Sequence, residues 1–127
     1  MNIALWIVQI LLALVFLMAG FMKVTQSKES LIEKSDHMAW VEDFSSGTIK
    51  YIGVLEILGA IGLILPAVTD IFPMLTPLAA AGLALTMVGA AVVHIRRKEY
   101  SGLVGNLVLF LMSAFVAYGR FALVPLT

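Results

Sequence analysis

Four polar side chains lie within or beside long apolar segments of the chain: Lys23, Glu56, His94 and Asn106. Glu56 is the only charged residue in GVLEILGAIGLIL, residues 53–65. An unpaired carboxylate is costly in an apolar environment, so Glu56 must be paired or protonated. With a lysine, an imidazole and an amide nearby, such a group can hold the polar head of a ligand or relay a proton.

The composition shows which solvent surrounds these residues. The chain of 127 residues is 61% apolar and 13% charged, with a mean hydropathy of +1.04. A soluble domain is nearer half apolar and about a quarter charged, so lipid is the expected solvent. The formal net charge is zero, which gives no general attraction to nucleic acid. The absence of cysteine excludes disulfides, thiolate catalysis and iron–sulfur ligation.

Four apolar runs predict an all-α fold, a four-helix transmembrane bundle that forms a single domain over residues 1–127. A membrane-spanning helix needs roughly 20 residues, and the runs do not alternate as barrel strands would. The first run has no basic residue before Lys23 and no small-residue cleavage site, so we expect a retained helix. The predicted spans are residues 3–22, 49–65, 74–93 and 103–123.

The basic residues predict the orientation of the bundle. Seven of the eight lie at or in the connections 24–48 and 94–102, or at the adjoining span ends, whereas only Arg120 lies on the side of the termini. The positive-inside rule then places the basic loops in the cytoplasm and both termini outside. The long loop 24–48 carries Trp40 among other apolar residues. It is predicted to lie at the membrane interface or to cap the bundle, the alternative being a solvated loop.

Polar and small residues recur together at helical spacing on each span, as they do on buried helix faces. Lys23, Glu56, His94 and Asn106 all fall in the half of the bundle that carries the basic loops. Glu56 lies about two turns, roughly 10 Å, from that end. Arg120 is predicted to be an interfacial anchor at the other end. The predicted inward sets are Gln9, Ala13, Phe16, Gly20 and Lys23; Gly53, Glu56, Gly59 and Ala60; Gly82, Thr86, Ala90 and His94; and Asn106, Phe110, Ser113, Ala117 and Arg120.

The same residues lie in four ordered motifs: FLMAGFMK (16–23), GVLEILGAIG (53–62), AAVVHIRRKE (90–99), and Asn106 with YGR (118–120). Together they resemble the pattern of the DoxX / DoxX-like family. The resemblance implies a four-helix bundle in the bacterial inner membrane. Some relatives are subunits of a thiosulfate:quinone oxidoreductase, others associate with oxidative-stress proteins, and a eukaryotic branch acts as a receptor-assembly chaperone.

Our first hypothesis is an intramembrane pocket whose ligand-binding residues are Lys23, Glu56, His94 and Asn106. Lys23 and Glu56 would hold the head of a lipophilic molecule such as a quinone or isoprenoid lipid, and the other two would exchange hydrogen bonds with it. The protein would be an accessory part of a membrane redox or stress-response system, or an oxidoreductase subunit, rather than an enzyme alone. No catalytic residue or metal site is predicted, and quinone is the candidate cofactor. The predicted tail lining is Phe16, Phe110 and leucines.

The alternative hypothesis gives these residues structural roles. Lys23 and Glu56 would fix helix register, His94 would complement a helix dipole, and Asn106 would bond a neighbouring helix. The protein would then be a non-catalytic assembly factor or subunit that docks other membrane proteins. A proton-coupled transporter is a weaker hypothesis, since four helices are few without a homodimer. The predicted partners are membrane lipid, a lipophilic ligand, and a membrane protein or second copy, with no nucleic acid.

Overall fold

The computed structural model describes residues 1–34 and 36–123, which are helical almost throughout and contain no strand. Four long apolar helices form a bundle, so the predicted fold is confirmed. The helices extend past the predicted spans by one to four residues at most ends. The elements are α1 (Asn2–Thr25), α2 (Lys28–Lys34), a 3₁₀ segment (Asp36–Asp43), α3 (Ser46–Thr69), α4 (Leu75–Arg96), α5 (Ser101–Tyr118) and a π segment (Gly119–Leu123).

The long helices pack in the order α1, α3, α4, α5, with α1 mainly on α3 and α4 mainly on α5. We call the end with α2, the 3₁₀ segment and the α4–α5 connection the loop end. The opposite end, with the α3–α4 turn and the described N-terminus, is the turn end. The apolar core in the middle contains Leu12, Phe16, Ala60, Leu63, Ala80, Leu83, Met87 and Val116.

Large apolar side chains cover the outside of the bundle. Met18, Leu85 and Val104 are each about two-thirds or more exposed, at 67%, 72% and 70%. Apolar surface this extensive is incompatible with a soluble monomer. Each long helix also has a segment long and apolar enough to cross a bilayer, at Asn2–Thr25, Ser46–Thr69, Leu75–Arg96 and Gly102–Leu123. The chain is therefore a membrane protein with four candidate spans.

Helix α3 continues through Pro66 to Thr69, four residues beyond the end of the predicted span 49–65. Proline has no N–H, which leaves the carbonyl oxygen of Gly62 without its usual partner four residues later. Thr76 Oγ1 on α4 donates to this oxygen at 2.9 Å. Gln9 Nε2 on α1 donates to the next carbonyl, that of Leu63, at 2.8 Å. Side chains of two neighbouring helices thus support the proline. Helix α3 ends at Thr69, and the next residue, Asp70, has a left-handed backbone conformation with a φ of 58°.

The role of the Thr76 hydrogen bond can be tested by comparing the effect of its loss in the presence and in the absence of Pro66. Thr76→Val should lower the free energy of unfolding in detergent by about 1–3 kcal/mol, because the Gly62 carbonyl is left buried and unpaired. In a Pro66→Ala background the new N–H of residue 66 can bond that carbonyl, so the same change should cost clearly less. Equal losses in both backgrounds would contradict this explanation.

The long loop is folded and packed, so the solvated-loop interpretation is wrong. Leu31, Val41 and Ile49 form a small buried core between α2, the 3₁₀ segment and α3. Trp40 and Phe44 pack edge to face with ring centroids 5.6 Å apart. These contacts hold the 3₁₀ segment over the loop end of the bundle, whereas its position relative to a membrane interface stays a prediction.

Candidate functional site

The close approach of α1 and α3 near the loop end depends on two glycines. A Cβ atom on Gly20 would lie 2.5 Å from the Gly53 carbonyl oxygen, and one on Gly53 would lie 2.8 Å from the Gly20 oxygen. Because side chains three residues apart share a helix face, Lys23 and Glu56 follow these glycines by one turn on the same faces. An added Cβ on Gly53 would also lie 2.8 Å from Lys23 Cβ, so the bare glycine lets the lysine stem lie against α3 and reach Glu56.

Lys23 and Glu56 form a buried ion pair, with Lys23 Nζ 2.7 Å from Glu56 Oε1. Their side chains are only 9% and 4% exposed. Lys23 Nζ also lies 5.9 Å from the ring centroid of Trp40, which is within the range of a cation–π contact. The structure thus answers why an apolar helix carries a glutamate: Glu56 has a cationic partner on the adjacent helix.

A partly open cavity of about 420 Å³ lies beside the ion pair, in the half of the bundle nearest the loop end. Its volume is within the usual range for small-molecule sites. All four residues predicted from the sequence, Lys23, Glu56, His94 and Asn106, line it. The rest of the lining is mostly apolar: Val15, Phe16, Ala19, Trp40, Phe44, Ile52, Thr86, Met87, Gly89, Ala90, Val93, Gly102 and Leu109. The structure brings the four together, and their role in binding stays a prediction.

His94 lies between the cavity and the α4–α5 connection. Its imidazole packs on Gly102, where an added Cβ would be 3.0 Å from Cε1. Its Nδ1 lies 3.6 Å from Oε1 of Glu99, so an acidic group faces the imidazole on the side away from the cavity. His94 is therefore in position both to contact a cavity occupant and to interact with the loop.

Arg97 connects the 3₁₀ segment, whose Trp40 lines the cavity, to the α4–α5 connection. Its Nη1 lies 2.9 Å from Oδ1 of Asp43 in the 3₁₀ segment, and its Nε lies 3.1 Å from Oε1 of Glu99. The hydrogen bond to Asp43 and, to a smaller extent, the one to Glu99 raise the pKa of Arg97 above its ordinary value. The guanidinium therefore stays charged. These contacts place Trp40 and Phe44 over the cavity.

Asn106 contributes to helix packing as well as to the cavity. Its Nδ2 donates to the Met87 carbonyl on α4 at 2.9 Å. Thr86, which sequence reasoning placed in phase but not among the binding residues, also lines the cavity and donates to Gly82 at 3.0 Å. The helix-bonding role of Asn106 is thus present, and it does not exclude a contact with a ligand.

A second polar cluster lies at the turn end, where Arg120 is buried at 2% exposure instead of acting as an interfacial anchor. Its Nε donates to Gln9 Oε1 at 2.6 Å, and its Nη1 donates to Asn2 Oδ1 at 2.8 Å. The guanidinium carbon also lies 5.5 Å from the ring centroid of Trp6. Arg120 can be buried because these partners together replace the water that a guanidinium would otherwise need.

Three details of the predicted site differ in the structure. Phe110 packs against the apolar core, and Leu109 lines the cavity in its place. Gly82 is exposed. Residues four apart in an α-helix are offset by about 40° around its axis, so after three such intervals Gly82 no longer shares the face of His94. Sequence reasoning also missed Trp40 and Phe44 as lining residues, although their position in an apolar-rich loop was a signal.

Four apolar helices around a cavity with a buried ion pair define a small integral membrane protein with a buried polar site between its helices. The model of the DoxX-like family matches residues 7–116, and the chain belongs to this family. Neither a curated protein nor a solved structure matches the chain. Among residues 1–34 and 36–123 there is no group of three or more histidines and acidic side chains that could hold a metal ion.

Proposed function

We propose that this protein binds a lipophilic molecule with a polar head, of the quinone or isoprenoid-lipid class, in the cavity at the loop end. The observation that carries the proposal is the cavity of about 420 Å³ in which a buried ion pair meets a mostly apolar lining. A cavity that combines a buried polar site with an apolar lining favours an occupant with a polar head and an apolar body. The protein would be an accessory component of a membrane redox or stress-response system.

The geometry supports a division of roles within the cavity. Lys23 and Glu56, already oriented by their contact at 2.7 Å, would bond the polar head. His94 and Asn106 would add hydrogen bonds from the opposite side, where α4 and α5 form the wall. Trp40 and other aromatic side chains would cover the flat face of a ring-shaped head. The tail would leave the cavity at its open side, where Val15 is 42% exposed.

The direct test identifies what the purified protein holds. Native mass spectrometry in mild detergent, followed by solvent extraction, should find a stoichiometric quinone or isoprenoid lipid on the wild type. Glu56→Gln should lose most of it, because the head loses a charged hydrogen-bond acceptor. Glu29→Gln, the same change at an exposed position, is the matched control. An empty wild type, or bulk phospholipid retained equally by all three proteins, would contradict the proposal.

We further propose that the loop end faces the cytoplasm of a bacterial inner membrane. The basic residues of the loop end and membership of the DoxX-like family support this orientation. The chain has no cysteine, so single cysteines can be labelled without background. A membrane-impermeant maleimide on intact spheroplasts should react with Thr69→Cys and reach Ser46→Cys only after lysis. The reverse labelling would overturn the orientation.

A second candidate function is docking of another membrane protein, and the open glycines favour it. Gly82 on α4 and Gly105 on α5 are exposed, and an added Cβ at either position would meet no atom within 4 Å. Small residues on a lipid-facing surface allow the close approach of a partner helix. Gly82→Leu should then remove a partner that co-purifies in mild detergent. A partner retained at wild-type stoichiometry would count against docking at this face.

A further inference from the structure

We infer that the head of the bound molecule carries no net charge, so that the cavity selects an uncharged quinone or alcohol over a phosphate or carboxylate. The inference rests on the proposed function, since it specifies the chemical class of the ligand at that same site.

The charges that line the cavity are already balanced. Among the described lining residues Lys23 is the only fixed cation, and its Nζ lies 2.7 Å from the Glu56 carboxylate. An anionic head would have to displace Glu56 from Lys23 or be buried beside a like charge. Either arrangement leaves one uncompensated anion away from water, which is strongly unfavourable. A neutral head adds hydrogen bonds to the pair without separating it.

The other positive features near the cavity are also engaged. His94 faces Glu99 at 3.6 Å, so a protonated imidazole would have its own acidic neighbour. At the N-terminus of α5 the Gly102 and Leu103 amides donate to the Glu99 and Tyr100 carbonyls. Arg97, at the loop end, contacts the carboxylates of Asp43 and Glu99. None of these groups is left to compensate an added negative charge.

The test compares two probes that share one tail and differ in the charge of the head. Geranylgeraniol and geranylgeranyl phosphate are titrated into wild-type protein in phosphatidylcholine nanodiscs, with binding read by native mass spectrometry. We expect the alcohol to bind at least about tenfold more tightly. Equal or tighter binding of the phosphate would overturn the inference and leave the proposed function intact. Binding of neither probe would overturn the inference, and it would also contradict the proposed function if the purified protein held no quinone.

A variant tests whether the ion pair sets this preference. Glu56→Gln leaves Lys23 as an uncompensated cation, so the ratio of phosphate to alcohol affinity should rise by at least about tenfold. Glu29→Gln should leave the ratio unchanged. An unchanged ratio in folded Glu56→Gln would show that the pair does not select the head and would overturn the inference. If that variant does not fold, the comparison on the wild type decides alone.

Discussion

Lys23→Met is expected to lower the free energy of unfolding by about 3–5 kcal/mol, because removing one partner of a buried ion pair leaves the other without compensation. The Glu56 side chain is 4% exposed and lies 2.7 Å from Lys23 Nζ, so the variant leaves a largely buried carboxylate without its cation. Methionine keeps most of the lysine stem, which limits the loss of packing. The measurement is reversible unfolding in mixed micelles, followed by circular dichroism.

Two controls separate the electrostatic effect from packing. The double variant Lys23→Met with Glu56→Gln has a similar shape and no charge, and it should recover most of the lost stability. Lys98→Met makes the same change at an exposed site and should alter stability by no more than about 0.5 kcal/mol. A double variant as unstable as Lys23→Met alone would show that the charge balance of the pair is not what stabilises this region.

Gly20→Ala is the second large expected effect, with a loss of about 1–3 kcal/mol from overpacking. The added Cβ would lie 2.5 Å from the Gly53 carbonyl oxygen, a backbone atom that cannot move without shifting α3. The shift would also lengthen the contact between Lys23 and Glu56 one turn away. Gly53→Ala should act at the same crossing, so the two losses should not add.

The matched control for the glycine crossing is Gly105→Ala. A Cβ there would meet no atom within 4 Å, so we expect a change within about 0.5 kcal/mol. Unfolding in mixed micelles again provides the measurement. A loss at Gly20 no larger than that at Gly105 would show that α1 and α3 adjust freely to the extra volume.

The residues of α1 and α3 that position the ion pair could be predicted from the sequence. In both helices a glycine precedes the charged residue by three positions, so the periodicity alone places each pair on one face. The close crossing follows because glycine permits backbone contact between membrane helices. The convergence of His94 and Asn106 on the same cavity also followed from their position near the loop end.

Other features depended on contacts between distant segments and could not be predicted in this way. Pro66 reads locally as the end of a helix, and only the bonds from Gln9 and Thr76 to nearby carbonyls show how α3 continues. The periodicity placed Arg120 on the inward face of its helix, but its burial could not be predicted, because its partners Gln9 and Asn2 are over a hundred residues away. A cap formed by loop 24–48 was one of the predicted alternatives, whereas the particular contacts that bring Trp40 and Phe44 to the cavity follow from no local pattern.

The bonds between helices group the four long helices into two antiparallel hairpins, α1 with α3 and α4 with α5. Lys23 and Glu56 join α1 to α3, and the bond from Asn106 to Met87 joins α5 to α4, so each hairpin is tied internally. The hairpins are joined to each other at the turn end by Thr76 and Arg120. At the loop end, the ion pairs of Arg97 with Asp43 and Glu42 join one hairpin to the other. The side chains of Asp43 and Glu42 are about half exposed. Because exposed ion pairs contribute only about 0–1 kcal/mol each, the polar contacts at the loop end hold the two hairpins together less strongly than the buried ones at the turn end.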